Sequence, residues 1–244
     1  MASEITWLGL VALGVVAGLS IDRISLWLPK KLDDEWRIEA SEVLGQSPCA
    51  QLEFPVARRS GARAFFNVVL CVVLTVGVGH HFGDLWPTAG MLLLAWGLLL
   101  LSLIDLDHQL LPDIVVLPLL WGGLIINTSG LLASLEAGVW GAAGGYVFLY
   151  LVRLVSRIVT GVEGIGLGDV KMFALLGAWG GWQILPATLV LALGLSLVVT
   201  LPMTLMGGRD RRDAMSFGPY LAVSGLGALL YVPSWQQLLG MDNF

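Results

Sequence analysis

The sequence predicts an all-α protein that crosses a membrane several times, and three observations carry that prediction. Hydrophobic residues make up 57% of the 244-residue chain and charged residues 13%, with a mean hydropathy of +0.83, whereas a soluble domain carries roughly a quarter charged residues. The apolar residues gather in eight stretches, most of them near the ~20 residues that a helix needs to cross a bilayer. Every Lys and Arg falls in one of four places: Arg23, the segment 29–64, the region 153–171, or the loop 207–216. Eight crossings counted from an outside N-terminus put all four on the cytoplasmic side, as the positive-inside rule requires. One miscounted helix would scatter them over both faces.

Taken in order, the first apolar run covers about 5–28 and lacks the basic n-region of a signal peptide, so it reads as a retained anchor. The polar segment 29–64 mixes Lys30, Lys31, Arg37, Arg58, Arg59 and Arg63 with Asp33, Asp34, Glu35, Glu39, Glu42 and Glu53. Within it, 33–44 has the pattern of a short amphipathic helix at the membrane surface. These boundaries divide the chain into a first span (1–28), a short cytoplasmic segment (29–64) and a membrane domain (65–244). The remaining runs lie at about 65–82, 88–105, 112–130, 132–158, 170–183, 185–206 and 217–233. Pro112 opens the fourth, where a missing N–H is tolerated. The sixth is short, and the fifth carries Glu136, Arg153 and Arg157 near its ends. Gly141 with Gly145, and Gly177 with Gly181, have small-xxx-small spacing and read as packing positions. The chain has no basic patch for nucleic acid, and Cys49 and Cys71 cannot build a disulfide framework or a four-cysteine zinc site.

Two acidic positions stand out against this background. Asp105 closes the third run and Asp169, preceded by Gly164, Gly166 and Gly168, opens the sixth. A charge at membrane depth costs about 2.5–3.5 kcal/mol on insertion scales, which makes such a residue a functional candidate with an expected partner. The eight-span walk puts both at cytoplasmic ends, so they can meet although distant in sequence. Two carboxylates a few ångströms apart in a low dielectric cannot both ionise, so one keeps a proton and the other serves as base. That arrangement activates water for attack on a peptide carbonyl, without a metal or nucleotide. Each residue also has a plain structural reading. Asp169 would favour a helix dipole, Asp105, Asp107 and Asp113 would form an interfacial acidic loop, and Lys171 would be a snorkelling anchor or a support for the acidic site. Asp22 would pair with Arg23 or another nearby cation. His108 has no second His or Cys at metal spacing in its loop, His80 and His81 fall on the far side, and Glu136 and Glu163 read as structural.

Ile104-Asp105 followed by Leu111-Pro112-Asp113, then Gly166-Leu167-Gly168-Asp169 with Lys171, then Phe217-Gly218-Pro219-Tyr220, resembles the type IV prepilin peptidases. These are bifunctional leader peptidases and N-methyltransferases among the GxGD membrane aspartyl proteases. Gly18 and Pro29, and the run from Glu35 to Gly45, extend the similarity over nearly the whole chain. The resemblance implies cleavage, on the cytoplasmic side of a bacterial inner membrane, of the leader of a type IV prepilin or a type II secretion pseudopilin, just after a glycine. By position, Asp105 and Asp169 are its catalytic pair, with Asp107 as second choice for the first member. Gly166, Gly168, Lys171, Pro112, Asp113, Gly218 and Pro219 are its supporting residues. The family's two CxxC pairs are missing from 29–64, so zinc is not expected, and S-adenosylmethionine-dependent methylation of the new N-terminus is left open while proteolysis is untouched. Asp22, Trp27 and the stretch Arg63 to Asn67 also depart from the family pattern. The rival expectations are a presenilin-like protease cutting inside a transmembrane helix, and a transporter or scaffold. A transporter would place its carboxylates near the midplane, commonly within internal repeats, and no repeat is visible. Membrane lipid is the other expected contact, and the oligomeric state is not set by the sequence.

Overall fold

Residues 7–45, 60–161, 165–205 and 216–238, the parts of the chain that the computed structural model describes, form eight α-helices and one 3-10 turn. Residues 46–59, with Cys49, Glu53, Arg58 and Arg59, lie outside the described residues, as do Glu163, Gly164, most of the 207–216 loop and both termini. Two compact units are present, Met1–Leu110 and Leu111–Phe244.

The first unit holds α1 (Trp7–Leu44), α2 (Gly61–Phe82) and α3 (Leu85–His108). With 38 residues, α1 is about 57 Å long at 1.5 Å per residue, well beyond a ~30 Å hydrocarbon core. The amphipathic helix expected over 33–44 is therefore not separate but continues the first span through Pro29. Pairs four residues apart, Lys31 with Glu35 at 3.5 Å and Arg37 with Asp33 at 2.8 Å, support that polar extension. α1 and α2 approach closely because Gly14 and Gly18 carry no side chain: a Cβ at either would stand 2.8 Å from the Cα of Val72 or 2.7 Å from that of Val68. Ile21, Cys71 and Leu99 join the three helices in one apolar cluster.

The second unit is arranged around α6 (Leu167–Gly180), among α4 (Asp113–Asn127), α5 (Leu135–Thr160), a 3-10 turn (Trp182–Ile184), α7 (Leu185–Leu205) and α8 (Gly218–Leu238). α6 is apolar all round and buried at nearly every position from Asp169 to Trp179, the pattern of a helix enclosed by others. Gly141 of α5 and Gly177 of α6 meet backbone to backbone, and a Cβ on Gly141 would lie 2.5 Å from the Gly177 carbonyl oxygen. Gly123 of α4 leaves room for the Trp179 indole, which donates to the Leu119 carbonyl at 2.8 Å. Gly225 of α8 does the same for Leu176.

At 14 residues, α6 is only about 21 Å long, and its last carbonyls, like those of any helix, have no donor within the helix. Asn127 answers this: its Nδ2 donates to the Ala178 and Trp179 carbonyls, both at 2.9 Å, while its Oδ1 accepts from Ala133 N at 3.1 Å. Among the described residues, five helices are long and apolar enough to cross a membrane: α1, α2, α3, α5 and the stretch Trp182–Pro202. Two more, α4 and Gly218–Tyr231 of α8, are apolar but shorter. The chain is a multi-pass, all-helical membrane protein.

Candidate active site

Asp105 lies in the last turn of α3, 4% exposed. The helix does not stop at Asp105, as the apolar run does, but carries Asp107 and His108 in the same turn and ends in a left-handed residue, Gln109, at φ 52°. The Gln109 N–H closes that end on the Asp105 carbonyl at 2.8 Å. Asp105 and Asp107 are thus helical rather than members of an acidic loop. Pro112 is the N-cap of α4, one position outside the helix, with its carbonyl accepting from Val115 and Val116, and Asp113 is the first helical residue. A carboxylate there suits the positive end of the helix dipole.

Asp169 occupies the third position of α6 and is 8% exposed. Its Oδ2 accepts from the Gly166 N–H at 3.2 Å, the carboxylate half of a capping box. The two glycines before it each have a steric reason. A Cβ on Gly166 would crowd that oxygen at 3.1 Å, and one on Gly168 would stand 2.7 Å from the Leu111 Cβ. Gly168 therefore allows the Leu111-Pro112-Asp113 turn to seat directly on the start of α6. Lys171 fastens the same contact, its Nζ lying 2.7 Å from both oxygens of Asp113. Gly218 and Pro219 form the first turn of α8, where the Phe217 carbonyl accepts from Tyr220 and Leu221.

In the first unit, Asp107 is held by Arg63 of α2 in an ion pair. Asp22 has its nearby cation in Arg63 of α2: its Oδ1 lies 4.0 Å from Arg63 Nε and accepts from Asn67 Nδ2 at 2.9 Å. Sequence reasoning passed over Arg63 and Asn67 as partners, although they stand four apart and so share a face of α2. Of the named site residues, the structure joins Lys171 to Asp113, Gly168 to the turn containing Pro112, and Gly166 to Asp169. Asp105 and Asp107 belong to the first unit; the others belong to the second. Among the described residues no three His, Cys, Asp or Glu side chains come together as metal ligands.

Comparison with known proteins gives a consistent picture. Residues 92–201 match the type IV leader peptidase family. A prepilin leader peptidase/N-methyltransferase of Stutzerimonas stutzeri is 52% identical over 161 residues, which is 66% of this chain and 56% of that protein. Proteins of the same description from Pseudomonas aeruginosa and Pseudomonas putida are each 38% identical, the first over 91% of this chain and 89% of its own length, the second over 93% of both. No solved structure matches the chain.

Proposed function

The chain belongs to the type IV leader peptidase family, and from that premise we propose that it is an aspartyl endopeptidase that removes the leader of type IV prepilins or pseudopilins after a glycine. The observation that carries this reading is the burial of Asp105 and Asp169 at the ends of two apolar helices. Asp105 and Asp169 act together: the ionised member takes a proton from water, the water attacks the scissile carbonyl, and the protonated member polarises that carbonyl and then gives its proton to the leaving amine. The proton inventory belongs to the pair rather than to either residue. Gly166, Gly168, Pro112, Asp113 and Lys171 support Asp169 by fixing the N-terminus of α6, and Gly218 and Pro219 start a helix packed on it.

The protein sits in the bacterial inner membrane with eight crossings, an outside N-terminus and its aspartates towards the cytoplasm. The grouping of Lys and Arg supports this, and the enclosure of α6 supports counting so short a helix as a crossing. The polar end of α1 begins a cytoplasmic segment reaching to the start of α2. Methylation of the new N-terminus, with S-adenosylmethionine supplying the methyl group, rests on the name its relatives carry. The test is the intact mass of a purified prepilin after incubation with the full chain in detergent, with and without S-adenosylmethionine. Loss of the leader mass is expected in both samples, and a gain of one methyl group only with the cofactor. A precursor left whole in both overturns the reading.

A further inference from the structure

Resting on the peptidase reading, we propose that Arg63 is a positioning residue for Asp105, acting through its ion pair with Asp107 two residues further along α3. Four side chains from three helices meet at the inner end of the first unit. Arg63 pairs with Asp107 of α3, and its Nε lies 4.0 Å from Asp22 of α1. Asn67, one turn further along α2, donates to the same Asp22 oxygen at 2.9 Å. Asp22 is 1% exposed, so its charge requires partners of this kind.

The placement of Arg63 argues that the pairing is specific. It stands in the first turn of α2, three residues after the N-cap Ser60, where the helix dipole disfavours a cation. Two facing carboxylates offset that cost, and both are themselves favoured near a helix N-terminus. The guanidinium fork can hold two acceptors in fixed directions, which a lysine cannot do in the same way.

The consequence for α3 follows from spacing. Asp107 is two residues after Asp105, so the two side chains leave the helix in different directions. Holding Asp107 on α2 fixes the rotation of the last turn of α3 and hence the direction in which Asp105 points. Arg63 is also an unsuitable receptor for a basic leader, so its role is one of orientation and not recruitment.

The test is steady-state cleavage of a prepilin precursor by the full-length protein in detergent. Arg63→Met and Asp107→Asn should each lower kcat ~10- to 100-fold, the scale of loss for a misdirected catalytic group, with KM within about twofold. Because both variants break the Arg63–Asp107 pair, and Arg63→Met alone also removes the cation beside Asp22, the double variant should be no worse than Arg63→Met. Arg63→Lys, which keeps the charge but not the fork, should restore only part of the loss and fall between the unaltered protein and Arg63→Met. Should Arg63→Met fail to accumulate in membranes, the cycle of Arg63→Lys with Asp107→Asn carries the test: Arg63→Lys should cause no further loss once Asp107 is neutral. Multiplying losses, a raised KM at constant kcat, or complete loss in Asp107→Asn with cleavage surviving in Asp105→Asn would each overturn the inference. If the unaltered chain leaves the precursor whole, the peptidase reading falls first and takes this role with it.

Discussion

Asp169 has a structural task in addition to the chemical one proposed for it, and the two can be separated by substitution. Its Oδ2 caps α6 through the Gly166 N–H, which an amide oxygen can do as well as a carboxylate. Asp169→Asn should therefore unfold within about 0.5 kcal/mol of the unaltered protein in detergent, whereas Asp169→Ala should cost about 1 kcal/mol by leaving that donor unmet. Thermal unfolding of both variants checks this. Gly168 is the most sterically constrained position of the motif. Gly168→Ala pushes a methyl group towards Leu111, and should cost about 1–3 kcal/mol as an overpacked contact and lower cleavage; adding Leu111→Ala should recover part of the loss. The sequence displayed the acidic and glycine positions because charge and missing side chains are conspicuous in an apolar chain. It did not display their partners. In the sequence Arg63 is one of several basic residues in a polar segment, and only the packing of three helices reveals that it holds Asp107 and neighbours Asp22.

At the level of elements, α6 depends on close approach and on borrowed hydrogen bonds. Gly177→Ala should separate α5 from α6 and cost about 1–3 kcal/mol, since its Cβ would meet the Gly141 carbonyl. Gly144, on the same helix as Gly141, has open space around it, so Gly144→Ala should be neutral or stabilise by up to about 1 kcal/mol through helix propensity. Asn127→Leu leaves the last carbonyls of α6 without their donor and should cost about 1–3 kcal/mol. Denaturation of the three variants in the same detergent ranks these effects. Hydrophobic runs revealed the helices because the lipid-facing and packed residues are alike apolar. For the same reason they could not show which helix is enclosed: α6 and α7 read alike, yet one is buried along nearly its whole length and the other exposes Val190, Leu193, Leu197 and Val198. The continuity of α1 through Pro29 is hidden in the sequence for a different cause, since a charged helix stabilised by its own side-chain pairs has no hydrophobic boundary to mark where it continues.

For the whole molecule, the grouping of Lys and Arg makes orientation a measurable claim. In a chain with Cys49 and Cys71 replaced by serine, Asp84→Cys and Ser129→Cys should react with an impermeant thiol reagent from outside, and Lys31→Cys only after the membrane is opened. Labelling of Lys31→Cys in intact cells would reverse the topology and remove the cytoplasmic aspartates. The chemistry is tested most directly by the mass of a prepilin after incubation with the purified protein, with Asp105→Asn and with Asp169→Asn, each variant first shown to be inserted and folded. The account predicts loss of the leader with the unaltered protein and an intact precursor with either variant. Leader loss that persists in either variant would contradict it.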